Sequence, residues 1–246
     1  MPEPPAFIPG ATAQTGRVAL VTGGERGVGA AVVQALASRG HAVAIHSDGS
    51  LTEARDLADR LVGAGVPSLA VTANLRDEGP VRAMVQRVAD HFGRIDVLVT
   101  GAAIRHAGPL EEVTADDLRT HFDMNCVGTF VAAQEAGAFM VRQPEGGCIV
   151  TLADSAVDQP PTGFAAFLPS QGAIPAMTRS LAVEFAARNP RVRVNCVLAD
   201  AFGHREGMPA YVAHAVLFLL ENEVVTGVCL PPGLQQAGAI RERAVP

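Results

Sequence analysis

A chain of 246 residues, 48% of them hydrophobic, has enough apolar material for one α/β domain with an ample core, and no linker marks off a second domain. The formal net charge is −6 and the basic residues are scattered without a stripe, which argues against nucleic acid or an anionic membrane surface as partner. No run of about 18 apolar residues occurs, and the Pro-rich, acidic N-terminus lacks the charge and apolar core of a secretion signal, so a cytoplasmic protein is expected.

Residues 1–16 read as a loosely docked arm. Val18 to Val21 is apolar at every position, which suits a parallel strand buried on both faces, and Thr22 ends it. Gly23, Gly27 and Gly29 then let the backbone turn sharply and approach a ligand without a Cβ in the way. The Ala- and Val-rich helix that follows, from about Ala30 to Ala37, offers free N–H groups in its first turn to a phosphate. His41 to His46 is a second strand, completing a βαβ unit.

A helix is predicted from Leu51 to Val62, with Leu51, Ala54, Leu57, Ala58 and Leu61 on one face. Ser68 to Ala73 reads as a strand, Pro80 to Phe92 as a helix and Ile95 to Thr100 as a fourth strand. One long helix over Leu118 to Met140 contains Asn125, which reads as a polar residue bonding to backbone at a helix irregularity. His106 and His121 read as packed or surface residues. Gly147 to Leu152 is a fifth strand, Phe164 to Ala187 a second long helix, Arg193 to Val197 a sixth strand, Pro209 to Leu220 a helix and Thr226 to Pro231 a last strand. Cys126, Cys148, Cys196 and Cys229 form no CxxC pair and read as reduced packing cysteines, with no metal site or disulfide. The chain has no lysine, and its only tyrosine is Tyr211.

The spacing Thr22-Gly23-x-x-x-Gly27-x-Gly29 resembles the nucleotide motif of the short-chain dehydrogenase/reductase family, and the resemblance runs in order from Arg17 to Pro232. It implies an α/β fold in residues 17–232: a Rossmann-like, doubly wound parallel sheet of about seven strands flanked by helices, with residues 233–246 as a tail. It also implies a nicotinamide dinucleotide at the carboxyl ends of the strands. Thr22, Gly23, Arg26, Gly27, Val28 and Gly29 would hold its phosphates, Ser47 the ribose, Asn74 and Leu75 the adenine, and Gly101, Ala102 and Gln171 the nicotinamide half. Arg26 within the turn, and Ser47 where an acid would select the free ribose, favour NADP(H) over NAD(H). Asp48 nearby argues the other way, and Arg26 and Asp48 could also be plain solvated turn residues.

The departures from that pattern are concentrated where the chemistry would occur. Thr100-Gly101-Ala102-Ala103 stands in place of the family's Asn-Asn-Ala-Gly. Asp154 takes the position of the substrate-orienting serine, with Ser155 one place off. Phe167 and Gln171 stand where the family has Tyr-x-x-x-Lys, a register fixed by the matching Met177 to Ala182 segment. In such enzymes the tyrosine gives a proton to the carbonyl oxygen while hydride reaches the carbon, and the lysine ammonium lowers the tyrosine pKa. Phe167 has no proton to give. Asp154, a water held by Asn125, or the substrate itself would have to supply it. An Asp serves only if it stays protonated, since a carboxylate repels a developing alkoxide. Leu198-Ala199-Asp200 replaces the usual Pro-Gly turn, and so few residues follow that the substrate lid is expected to be largely missing.

Three readings stand at this point. The first is an atypical NADP(H)-dependent redox enzyme acting on a small carbonyl or alcohol. The second is a pseudoenzyme, a structural or regulatory subunit beside an active relative, with or without a bound dinucleotide. The third is a non-redox lyase, isomerase or cyclase using Asp154 as base. The resemblance further implies a homodimer or homotetramer built on the two long helices, or a hetero-oligomer with an active family member.

Overall fold

In the computed structural model, Val18–Thr22 forms β1, a fully buried strand whose side chains feed two cores. Val18 and Leu20 point into one and Ala19 and Val21 into the other, the period-2 alternation of a strand covered on both faces. The described residues are 16–199 and 207–231. The segments expected to be an N-terminal arm, a reduced lid beginning at Asp200 and a C-terminal tail lie outside them, save for Gly16.

Strands and helices alternate along the chain, except between β4 and β5. Helix α1 (Gly27–Ser38) leads to β2 (Ala42–Ser47), α2 (Leu51–Gly63) to β3 (Ser68–Thr72), and α3 (Glu78–Phe92) to β4 (Val97–Thr100). Then come α4 (Ala115–His121), a π-helical turn over Phe122–Val127, and α5 (Gly128–Arg142). They are followed by β5 (Gly147–Asp154), α6 (Phe167–Ala186), β6 (Val192–Ala199), α7 (Met208–Glu221) and the short edge strand β7 (Cys229–Leu230). The single long helix expected over Leu118 to Met140 is therefore interrupted, and the irregularity expected at Asn125 is this π turn.

Seven parallel strands lie in the order β3-β2-β1-β4-β5-β6-β7. The chain winds outward from β1 to one edge and then crosses back to β4, so the crevice between the ends of β1 and β4 is the topological switch point of a doubly wound sheet. One face is covered by α3, α5 and α6, whose Val85, Ala136, Leu181 and Phe185 pack on Leu20, Leu98 and Ile149. The other is covered by α1, α2 and α7, whose Val33, Leu57 and Val216 pack on Val21, Ile45 and Val99. At the opposite end of the sheet the buried guanidinium of Arg193 donates to the carbonyls of Leu219, Leu220, Asn222 and Val225 at 2.6–3.1 Å, tying the end of α7 and the loop after it to β6. The Leu219 and Leu220 carbonyls are orphans of a helix terminus, and a cation satisfies them well.

Candidate cofactor and reaction site

The β1–α1 turn sits at the switch point. Gly23 and Gly27 have φ of 64° and 55°, the left-handed region that glycine enters without strain. A Cβ on Gly29 would lie 1.9 Å from the Gly23 carbonyl oxygen, so only glycine lets the helix start this close under the turn. A Cβ on Gly27 would meet nothing within 4 Å. The space over Gly27 is thus open, bordered by the first-turn N–H groups of α1. That is a cradle for an anion, and it fits a dinucleotide phosphate.

His46 fastens this turn. Its Nδ1 accepts the Gly23 N–H at 3.3 Å and its Nε2–H donates to the Ala73 carbonyl at 3.0 Å, which fixes the neutral tautomer. Burial pushes its pKa below the ordinary 6.5, partly offset by the Ala73 carbonyl. The unfolded chain takes up a proton near pH 6.5 that the folded chain resists, so His46 contributes stability above that pH and loses it as pH falls toward the depressed folded value. Burial lowers His41 as well, in the same direction. Denaturant unfolding between pH 7.5 and 5.5 is therefore expected to show falling stability with falling pH. The slope should be shallower in His46→Gln, which keeps a donor and an acceptor but no titration; an unchanged slope would assign the effect elsewhere.

The neighbouring loops are set by short polar links. Thr22 Oγ1 accepts from the N–H groups of Gly101 and Ala102 at 3.1 and 3.4 Å, joining the end of β4 to that of β1. Ser47 is buried, and its carbonyl accepts from Thr72 Oγ1 at 2.9 Å; Asp48 is exposed. Arg26 is 78% exposed and 3.7 Å from the carboxylate of Glu25, which is folded beneath the turn with Oε2 lacking a hydrogen-bond partner among the described residues. Val28 is half-buried in the first turn of α1 and packs toward the core. Asn74 Oδ1 accepts the Arg76 N–H at 3.1 Å and its Nδ2 donates to Asp77 at 2.8 Å. The side chain is therefore used within its own loop. Leu75 is buried next to Gly128.

On the other side of the crevice the end of β5 meets the start of α6. Asp154 and Ser155 are buried there, and so are Phe167, Ser170 and Gln171. Asp154 Oδ1 accepts the Ala156 N–H at 2.9 Å, and Gln171 Oε1 accepts the Asp154 N–H at 3.0 Å. Pro175 lies within α6 and has no N–H, so the Gln171 carbonyl lacks its usual helical donor. Asn125 projects from the π turn into the same region. Its Oδ1 accepts the Ile104 N–H at 2.8 Å, while its Nδ2 donates to the Ile104 carbonyl at 3.1 Å and to Ser170 Oγ at 2.9 Å. Both donors and one lone pair are engaged, so a water held by this side chain would use the remaining lone pair of Oδ1.

Phe167 is covered by Arg105, whose guanidinium lies 4.4 Å from the Phe164 ring centroid and 5.7 Å from that of Phe167. His121 is buried against Phe167, with ring centroids 6.1 Å apart, and its Nε2 accepts the His106 N–H at 3.2 Å. A cavity of about 180 Å³ opens beside this pair, lined by His106, Glu112, Asp117 and His121 among others. His121 is packed in and His106 is exposed. Sequence reasoning passed over His46, Arg105 and Ser170. A polar residue closing an otherwise apolar strand beside the glycine turn was the available signal for His46. For Arg105 and Ser170 nothing short of the fold was informative.

The sheet order, the all-parallel pairing and the glycine turn at the switch point define a Rossmann-like protein. The sequence matches the short chain dehydrogenase family over residues 17–203, and the chain belongs to that family. An oxidoreductase of Methylorubrum extorquens whose activity is uncharacterised is 34% identical over 179 residues, 73% of this chain and 71% of its own length. A hydroxynaphthalene reductase of Aspergillus fumigatus is 34% identical over 171 residues, 70% of this chain and 62% of the reductase, so less than two thirds of that protein is spanned. Among solved structures, a blue fluorescent protein from a metagenomic library in complex with NADPH superposes with a TM-score of 0.78 at 32% identity, covering 89% of this chain and 97% of the other. Among the described residues no helix is long and apolar enough to cross a membrane, and no cluster of three or more His, Cys, Asp or Glu could hold a metal ion.

Proposed function

We propose that this chain is a cytoplasmic, NADP(H)-binding member of its family with a redox-linked role on a small carbonyl or alcohol, and that Asp154 stands in for the missing tyrosine as proton donor. The observation that carries the reading is the open, positive-φ Gly27 at the start of α1, beside a switch point fastened by His46 and Thr22. A bound nicotinamide dinucleotide supplies or accepts hydride. Everything else falls to the protein's own groups. The amide N–H groups of the glycine turn would hold the diphosphate, and Gln171, its Oε1 turned to Asp154, would offer Nε2 to a ribose hydroxyl. Asp154, buried beside Gln171, would hold the proton that a reduced carbonyl oxygen takes up. The exposed guanidinium of Arg26 and the absence of an acid at Ser47 support NADP(H), a preference consistent with the NADPH complex of the metagenomic protein.

A specific observation favours a second reading, that of a catalytically silent subunit. Phe167 and Asn125, at the positions of a family tyrosine and a relay asparagine, are packed in: one lies under Arg105 and Phe164, the other is held by Ile104 and Ser170. Exposed Leu118, Val127 and Phe130 on α4, the π turn and α5, with Val183 on α6, leave apolar surface on the helices expected to form a homodimer or homotetramer.

Calorimetric titration of the full chain with NADPH and NADH tests the proposal. Micromolar binding with NADPH the tighter of the two is expected, and Arg26→Ala should bring the two affinities together. If neither dinucleotide binds the folded chain, the proposal fails.

A further inference from the structure

We propose that Cys196 and Cys229 are a peroxide-reactive thiol pair that closes into a reversible disulfide across the β6–β7 edge of the sheet. The inference concerns a part of the fold that the cofactor and reaction sites do not use. Cys196 on β6 and Cys229 on β7 are direct register partners in the parallel ladder. Register partners put their side chains on the same face, and here both pack into a small apolar cluster with Ile174, Leu198 and Met177. Neighbouring strands lie about 4.7–4.9 Å apart, inside the Cα separation of about 4.4–6.8 Å that a disulfide spans. The bond can therefore form without either strand leaving the sheet.

The two sulfurs differ in the ways that an attacking and a resolving thiol must. Cys196 is buried and lies directly across the ladder from Cys229. Cys229 is half-buried on a two-residue edge strand, and its Sγ accepts from the exposed guanidinium of Arg179 at 3.5 Å. The Cys196 hydrogen bond, followed by the charge of Arg179, brings the Cys229 thiol down to about 7, against its burial and the opposing charge of Asp158. Cys196 is pushed strongly upward by donating to Cys229 and by burial, so it keeps its proton. Cys148 is raised by burial to about 11, and Cys126 is raised by burial too. Of the four, Cys229 is the one whose thiol is shifted toward the thiolate and whose register partner is a second cysteine.

The chemistry balances with a hydroperoxide as oxidant. The Cys229 thiolate attacks the terminal peroxide oxygen. An S–O bond forms, the O–O bond breaks, and the departing alkoxide takes a proton to leave as an alcohol, or as water from hydrogen peroxide. The Cys196 sulfur then attacks the sulfenic sulfur: an S–S bond forms, the S–O bond breaks, and hydroxide leaves with the Cys196 proton as water. Two thiols are oxidised by two electrons and one peroxide is reduced.

The test treats the folded full-length chain with hydrogen peroxide at a few equivalents, blocks remaining thiols by alkylation, and reads peptide masses. The expected result is the loss of two thiols out of four, a cross-linked peptide pair containing Cys196 and Cys229 that is 2 Da lighter than its reduced halves, and recovery of both thiols with dithiothreitol. In Cys196→Ser, Cys229 should be trapped as its sulfenic acid by dimedone with no cross-link. In Cys229→Ser, Cys196 should resist peroxide over the same time. The proposal is overturned if all four thiols survive in the intact chain, if Cys126 reacts ahead of Cys229, or if Cys229 passes to the sulfinic acid while Cys196 stays reduced.

Discussion

Gly29→Ala is expected to unfold at a temperature lower by roughly 6–12 °C and to bind NADPH at least about tenfold more weakly, whereas Gly27→Ala should lose affinity with a smaller change in stability, roughly 2–8 °C. The two residues sit two positions apart at the same helix start and answer to different forces. At Gly29 the added methyl carbon would fall 1.9 Å from the Gly23 carbonyl oxygen and 2.7 Å from its carbonyl carbon, and both are backbone atoms that cannot rotate away. Relief requires α1 to move off the turn. Overpacking of this kind costs about 1–3 kcal/mol, and a clash with backbone belongs at the top of that range or above it. The same movement carries the first-turn N–H groups away from the crevice, so affinity falls with stability. At Gly27 the methyl meets no protein atom, and the left-handed φ of 55° costs about 1–2 kcal/mol. Its main effect is to occupy the space above the turn. Thermal unfolding by circular dichroism, paired with calorimetric titration, separates the two. A Gly27→Ala chain that binds NADPH as tightly as the parent would show that no phosphate rests there.

The fold was legible because its signals are local and repeated. Strands such as Val18–Thr22 and Ala42–Ser47 are apolar at nearly every position, a pattern that only a sheet covered on both faces produces, and each is followed by a helix with an amphipathic stripe. The ends were less so. α1 begins at Gly27, three residues before its Ala-rich body, because glycine carries the helix start under the turn. β5 and β6 run to Asp154 and Ala199, since tertiary pairing extends strands past the last β-branched residue.

The site was legible only in outline. Its glycines announce themselves by spacing, and the positions of Phe167 and Gln171 follow from register. What those side chains touch depends on contacts far apart in the chain. Asn125 reaches Ile104 across 21 residues and Ser170 across 45, and Gln171 reaches back 17 to the Asp154 amide. Asn74 is held more locally, by hydrogen bonds to Arg76 and Asp77 within its own loop. The cysteines are the clearest case. The packing role read from their spacing holds for buried Cys148 and Cys196, with Cys229 packed against the same cluster as Cys196; that Cys196 and Cys229, 33 positions apart, are neighbours follows only from the register in which β7 docks on β6.

Asp154→Asn is expected to lower NADPH-dependent carbonyl reduction by about 10²–10⁴-fold while leaving dinucleotide affinity within a few-fold. The substitution is nearly isosteric. The Asn oxygen can still accept the Ala156 N–H, and the backbone N–H that Gln171 holds is untouched, so the strand end and the start of α6 should stay in place. What is lost is an O–H able to pass its proton to an oxygen that becomes an alkoxide as hydride arrives. A primary amide holds its protons far too tightly for that. The assay follows NADPH oxidation with a panel of small aldehydes and ketones, in parallel with calorimetry on both proteins. If both chains reduce a carbonyl equally well, the proton comes from the water at Asn125 or from the substrate, and Asp154 leaves the mechanism. If the parent chain binds NADPH but reduces none of them, the packed Phe167 and the hydrogen-bonded Asn125 carry the argument for the silent-subunit reading. Affinity that falls together with rate would instead make Asp154 part of the cofactor seat, because a group acting only on the transferred proton cannot weaken the ground-state complex.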